Sequence, residues 1–322
     1  MVAGSKRILV TGALGQIGTV LTLELRRRYG DDRVVASDKR SQVPPELVGG
    51  PFVPLDVLDR PALEEAIRDQ DIGTVYHLAA LLSAVGEQHP QLCWRVNVDG
   101  LYNVLEIARQ HDLRLFCPSS IAVFGPETPR EQTPQETILR PTSMYGVTKV
   151  TGERLCEYYA TRYGVDVRGI RYPGLISSET PPGGGTTDYA VEIFYEAVRC
   201  GRYTCFVRAD TVLPMMYMPD AIRATLQLMA APRSELRHHA DFNLAALSFS
   251  AGELAAEIRK HLPGFECTFV PDYHQAIADS WPCSIDDTAA RAEWGWRPEY
   301  DLATMTTDML AKLAERQRRG TL

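Results

Sequence analysis

The chain has 322 residues, 45% of them hydrophobic and 23% charged, which is enough apolar material for a sizeable core and too much for a disordered chain. Its net charge is −7 and its basic residues are scattered, which argues against a nucleic-acid-binding stripe. Seven cysteines without any C-x-x-C spacing do not make a disulfide framework, and the uncharged segment Leu78–Gly86 is far shorter than the ~18 apolar residues of a membrane span.

In chain order, short β-branched runs alternate with amphipathic helices. Residues 8–11 read as a buried strand. Ile17, Val20, Leu21 and Leu25 then recur at helical spacing over 16–28, with Gly30 as the stop. The strand pattern begins at Arg7, so residues 1–6 hold no signal or transit peptide and the expected location is cytoplasmic. A strand at 34–37, a helix at 62–69 and a strand at 74–77 follow. A helix over 91–110 leads to a strand at 113–117, and a helix over 143–163 leads to a strand at 166–171. This alternation predicts an α/β protein with a Rossmann doubly wound parallel sheet.

After Pro173 the texture changes. Residues 177–188 (SSETPPGGGTTD) form a loop long enough to suggest a functional lid, centred on Gly183-Gly184-Gly185. Asp220 is placed to cap a helix over 221–229, and Ser250-Ala251-Gly252-Glu253 is a capping box opening a helix over 254–260. The predicted division is a nucleotide-binding domain over 1–172, to which about 211–248 returns, and a smaller mixed α/β lobe over 173–322 that binds substrate.

Three constellations carry chemistry. Thr11-Gly12-Ala13-Leu14-Gly15-Gln16-Ile17-Gly18 sets a glycine turn directly between a strand and a helix. Gly12 permits the tight turn, Gly15 lets backbone approach a pyrophosphate, and the helix N-terminus offers free N–H groups to the phosphates. Asp38, at the end of the second strand, can accept both ribose hydroxyls of an adenosine and would repel a 2′-phosphate, so NAD is expected over NADP. Lys39 and Arg40 weaken that preference slightly. Asp56 either contacts the adenine or is a solvated loop carboxylate.

Tyr145-Gly146-Val147-Thr148-Lys149 puts a phenol and an ammonium on one helix face. A phenol ionises near pH 10 in peptides, and an ammonium about 4 Å away favours the phenolate, making the pair a candidate base. Ser120 ends the fourth strand, where ligands bind in open parallel sheets, and can orient a reacting oxygen or simply cap a turn. The seven histidines lack ligand spacing to the cysteines, so no metal site is expected.

On these motifs, with Asn97-Val98-Asp99-Gly100 and Trp294-Gly295-Trp296-Arg297-Pro298, the chain resembles the extended short-chain dehydrogenase/reductase superfamily over nearly its whole length. It departs from the sugar-nucleotide epimerases at Arg171-Tyr172-Pro173-Gly174, where their usual Asn is missing, and from the dehydratases at Ile121-Ala122. Leu82–Glu87, the stretch 182–190, Leu213-Pro214-Met215-Met216-Tyr217 and Ser280-Trp281-Pro282 resemble the short-chain L-threonine 3-dehydrogenases.

That resemblance implies NAD-dependent oxidation of the threonine 3-hydroxyl to L-2-amino-3-oxobutyrate, with Tyr145 as base, Lys149 supporting it and Ser120 orienting the hydroxyl. It implies cofactor contacts at Gly12, Leu14, Gly15, Gln16, Ile17, Asp38, Lys39, Arg40, Asp56, Val57, Leu78, Ala79, Ala80, Asn97, Tyr145, Lys149 and Leu175. Ser83, Thr186 and Thr187 are candidates for gripping the amino acid and Trp281 for closing the pocket, although Ser83 could cap a turn and Trp281 could be core. Arg171 reads as structural. The resemblance also implies a homodimer through a four-helix bundle of the 91–110 and 143–163 helices. The rival reading is an NAD-retaining sugar-nucleotide epimerase or another extended short-chain dehydrogenase.

Overall fold

The computed structural model describes residues 6–181, 183 and 185–322. The chain forms two compact units, the first made of Met1–Ser119, Ser143–Arg171 and Thr225–Phe242, the second of Ser120–Thr142, Tyr172–Ala224 and Asn243–Leu322. Residues 120–142 thus group with the second unit, and only Thr225–Phe242 of the later chain returns to the first.

In the first unit, β1 (Arg7–Thr11), β2 (Val34–Asp38), β3 (Phe52–Pro54), β4 (Ile72–His77), β5 (Arg114–Phe116) and β6 (Asp166–Arg168) form one sheet in the order β3-β2-β1-β4-β5-β6. All its pairings are parallel. The chain reverses direction of travel across the sheet between β1 and β4, and in such sheets the crevice beyond the carboxyl ends at this point is the ligand site. The central strands are buried on both faces, so they read as continuous apolar runs instead of alternating ones.

Helix α1 (Gln16–Tyr29) buries Leu21 and Leu25 and stops at Gly30, as its spacing predicts. Helices α2 (Arg60–Asp69), α5 (Gly100–His111) and α6 (Met144–Tyr163) cover one sheet face. Leu63, Ile67, Val104, Leu105, Cys156 and Tyr159 pack there on Leu9, Val75, Leu115 and Val167. Each such large apolar side chain, fully buried, contributes about 1.5–3 kcal/mol before entropy is counted.

The predicted helix over 91–110 is present, but it is not α-helical throughout. After the short α3 (Ser83–Gln88) and α4 (Pro90–Trp94), Arg95–Asp99 is a π-helical segment that runs into α5. The extra residue turns Asn97 inward, where its carboxamide bonds the Leu81 backbone and the Thr148 hydroxyl. A 3.6-residue pattern cannot register such an insertion. The predicted strand over 166–171 is likewise two strands, Asp166–Arg168 and Ile170–Tyr172, parted at Gly169. There the backbone lies so close to the Cys117 carbonyl that a Cβ has no room.

The second unit contains a three-stranded sheet of Gly174–Ile176, Val212–Tyr217 and Leu247–Ser250, with the helices Tyr189–Cys200, Ala251–His261 and Leu302–Arg318. The Ser250 capping box is present with both reciprocal bonds. Asp220 does not cap its helix, which starts two residues earlier at Met218. Its buried carboxylate instead accepts from the Glu299 and Tyr300 backbone N–H groups and from Arg223. The loop over 177–188 joins a strand to the helix beginning at Tyr189, and two residues of the expected lid, Pro182 and Gly184, lie outside the described residues.

Candidate active site

The end of β1 and the start of α1 build the first half of the site. Gly12 sits at φ 67°, and Gly15 is the N-cap of α1 without a side-chain cap bond; the first turn has no acidic residue. The N–H groups at Gln16 and Ile17 therefore stand at a helix start that offers its positive end to an anion. A cleft of about 280 Å³ opens there, lined by Gly12 and Gly15, by Asp38, Lys39 and Arg40, by Asp56 and Val57, and by Leu78, Ala79 and Ala80. Ten of the residues expected to hold the dinucleotide thus share one cavity. Asp56 is exposed at the cleft and accepts from the Leu58 N–H at 3.0 Å.

Asp38 is buried, and its carboxylate accepts from Arg40 Nε and Nη2, the Arg40 N–H and the Leu14 N–H, at 3.0–3.3 Å. Burial pushes its carboxyl up, but the Arg40 bonds outweigh it and hold the group below the usual carboxylate range. The carboxylate is thus charged, with both oxygens engaged by Arg40. Because Arg40 competes for it in the ligand-free chain, Asp38→Ala is expected to weaken NAD⁺ binding only about tenfold. Titration calorimetry measures this, and an unchanged dissociation constant would remove Asp38 from the site.

The second half comes from α6. Ser143 caps it by accepting from the Gly146 N–H, and Tyr145 and Lys149 follow on one face, with the Lys149 ammonium 5.5 Å from the Tyr145 ring centre. Lys149 Nζ donates to the Pro118 carbonyl at 2.8 Å, which fixes it against the chain leaving β5. A small pocket beside it, about 30 Å³, is lined by His77, Asn97, Cys117, Ser119, Thr148 and Glu153 among others.

The two adjacent serines differ. Ser119 is buried and its hydroxyl is committed to Glu153, whereas Ser120 is half-buried and accepts from the Ala122 N–H, leaving its own proton to donate. Ser120 therefore both caps a turn and keeps a usable O–H. Asn97, expected at the cofactor, has its side chain tied to Leu81, Thr148 and Cys93.

Sequence reasoning passed over His77, Glu87 and Glu153. Burial pushes the His77 imidazole down to about 3, and its Nδ1 lies 2.9 Å from Thr11 Oγ1. A histidine that stays neutral when folded but protonates when unfolded costs stability as pH falls from about 6.5 toward 3, at most roughly 1.4 kcal/mol per pH unit. Urea midpoints at pH 7 and pH 5 are expected to differ less in His77→Gln than in the parent chain. Glu87 accepts from the Met144 N–H at the start of α6. Only Glu153 carried a signal, its spacing of four from Lys149 on the same helix face.

Of the expected substrate contacts, Ser83 is buried as the first residue of α3, with Leu82 and not Ser83 at the cap position. In the second unit, Thr186 and Trp281 are buried, Thr187 packs against Gly174, and Leu175 is half-buried in the strand Gly174–Ile176. Among the described residues no group of three or more His, Cys, Asp or Glu side chains could hold a metal ion.

The sequence pattern of the NAD dependent epimerase/dehydratase family matches residues 8–245. The chain belongs to that family. NAD is the family's cofactor, and the glycine cradle fits it: a Cβ on Gly12 would collide with the Ala79 backbone, while one on Gly15 would have only the Gly12 carbonyl within 4 Å, at 3.2 Å. The chain is 50% identical over 311 residues to the mitochondrial L-threonine 3-dehydrogenase of Bos taurus, covering 96% of this chain and 83% of that one. The structure of L-threonine dehydrogenase from Clostridium difficile matches with TM-score 0.95 at 50% identity, over 98% of this chain and 99% of that one. A monomeric L-threonine 3-dehydrogenase from a metagenome, in apo form, matches with TM-score 0.92 at 53% identity, over 96% and 99%.

Proposed function

We propose that this protein is an NAD-dependent oxidoreductase that converts L-threonine to L-2-amino-3-oxobutyrate. The observation that carries the reading is identity of about half to L-threonine dehydrogenases over nearly the whole chain, with Tyr145, Lys149 and Ser120 present together. Bound NAD⁺ supplies the hydride acceptor for the carbinol carbon. Ser120 Oγ holds the substrate hydroxyl, Tyr145 Oη takes its proton, and the Lys149 ammonium, anchored on Pro118, stabilises the phenolate. Ser83, Thr186 and Thr187 bind the amino-acid group, and Trp281 excludes water from the apolar side.

Absorbance at 340 nm with NAD⁺ and L-threonine tests the reading, run beside L-allo-threonine, NADP⁺ and sugar nucleotides. NADH growth with L-threonine alone supports it. Silence with threonine, and cofactor retained through gel filtration while a sugar nucleotide is interconverted, would replace it with the epimerase reading.

The protein is further proposed to act in the cytoplasm and as a homodimer. Among the described residues no helix is long and apolar enough to cross a membrane. Tyr102 on α5 and Tyr158 and Tyr163 on α6 are each about half exposed, an aromatic surface of the kind a partner subunit covers. Sedimentation velocity at micromolar concentration is expected to give twice the chain mass; a single monomer boundary would reject the dimer.

A further inference from the structure

Outside the Tyr145–Lys149 pair, the first unit holds a buried charge cluster that the proposed reaction does not use. The Glu153 and Arg171 side chains are 1% and 2% exposed. Arg171 Nε and Nη2 each donate to Glu153 at 2.8 Å, one to each carboxylate oxygen. A buried ion pair of this kind is weak evidence for stability, because desolvation offsets most of its attraction and apolar replacements often fold as well. What distinguishes this pair is its third partner. Ser119 Oγ donates to Glu153 Oε1 at 2.5 Å, so the arginine fork fixes the carboxylate and the carboxylate fixes Ser119.

One turn earlier on α6, Lys149 Nζ holds the Pro118 carbonyl. Two successive residues of the chain, Pro118 and Ser119, are therefore clamped by two residues four apart on one helix. The next residue is Ser120.

We propose that Glu153 is a positioning residue, which through Ser119 fixes the chain leaving β5 and so sets the backbone on which the next residue, Ser120, carries its hydroxyl. The inference rests on the proposed role of Ser120 in substrate oxidation. Displacing a substrate-orienting group by about 1 Å costs on the order of a hundredfold in rate, with little effect on ligands bound elsewhere.

The test compares Ser119→Ala, Glu153→Gln and the double variant with the parent enzyme, all saturated with NAD⁺. Ser119→Ala leaves the ion pair intact, and in Glu153→Gln the Arg171 guanidinium keeps Asp241 at 3.7 Å, so both are designed to fold. Each single variant is expected to lose roughly ten- to a hundredfold in kcat, with the threonine KM and the NADH dissociation constant within about twofold. The double variant is expected to be no slower than the worse single one, because both act through the same bond. Ser119→Thr, which keeps the hydroxyl, is expected to recover most of the rate. A kcat for Ser119→Ala within twofold of the parent, or losses that multiply in the double variant, would overturn the proposal.

If the parent enzyme itself leaves threonine untouched, the substrate reading fails and the positioning claim is judged by amide exchange. At least tenfold faster exchange in Ser119→Ala, confined to the Ser120, Ile121 and Ala122 amides, supports it. Unchanged exchange there sinks it.

Discussion

Tyr145→Phe is expected to remove turnover while leaving the cofactor bound. The substitution deletes one oxygen from a half-buried side chain whose ring packs beside Lys149, so α6 and its Ser143 cap remain as they are. The cleft is lined by the glycine turn after β1, by the end of β2, by the segments after β2, β3 and β4, and by Leu92 and Val96; Tyr145 is not among its lining residues. What disappears is the only group in the proposed reaction that takes the hydroxyl proton. General acid–base groups are worth about a hundred- to ten-thousandfold, and NADH formation from L-threonine is expected to fall by that much, with NADH fluorescence titrations unchanged. Lys149→Met is expected to lose both: the ammonium beside the phenol and the bond to Pro118 go together, so rate and the order of the chain after β5 fail in parallel. A Tyr145→Phe enzyme retaining more than a tenth of parental kcat would move the base elsewhere and leave the Tyr–Lys pair as a structural contact.

The fold was legible wherever one physical cause dominated the residue pattern. The six-stranded parallel sheet announces itself because strands buried on both faces become apolar runs, and Gly30 and Ser250 mark helix ends by mechanisms that act within one turn. What escaped depends on contacts distant in sequence. The π-helical segment at Arg95–Asp99 exists where Asn97 reaches Leu81 and Thr148, the latter 51 residues away. Asp220 looks like a cap until the Glu299 and Tyr300 N–H groups, about 80 residues on, take its carboxylate. β3 is three residues ending in Pro54, too short to show any period.

The candidate site divides the same way. Gly12, Gly15 and Asp38 follow from strand–turn–helix order and meet in one cleft. Ser119 and Ser120 are indistinguishable as letters, and only the Glu153 carboxylate, 34 residues from Ser119, separates the structural hydroxyl from the available one. Asn97 looks like a cofactor contact in the sequence, and in the structure its carboxamide bonds Leu81 and Thr148. Those bonds link the chain after β4 to α6, a contact that no local pattern encodes.

Gly12→Ala is expected to cost both stability and the cofactor, and the two losses have separable causes. The residue sits at φ 67°, a left-handed conformation that costs an alanine roughly 1–2 kcal/mol. Its Cβ would also stand 2.6 Å from Ala79 N, 2.7 Å from Leu78 C and 2.8 Å from Ala79 Cα. These are backbone atoms just past the end of β4, which pairs with β1 in the middle of the sheet, so neither side can retreat without breaking register. Overpacking of this kind adds about 1–3 kcal/mol. Gly164, just past α6, provides the control: its φ is 71°, and a Cβ there meets nothing within 4 Å. Gly164→Ala therefore carries the conformational cost alone. Denaturant unfolding is expected to show Gly12→Ala losing about twice as much stability or more, and calorimetry to show NAD⁺ binding lost in Gly12→Ala and kept in Gly164→Ala. Equal losses in the two variants would mean that the Leu78–Ala79 backbone yields to the methyl group. In that case the cleft floor is soft, and the requirement for glycine at position 12 is one of backbone angle and not of space.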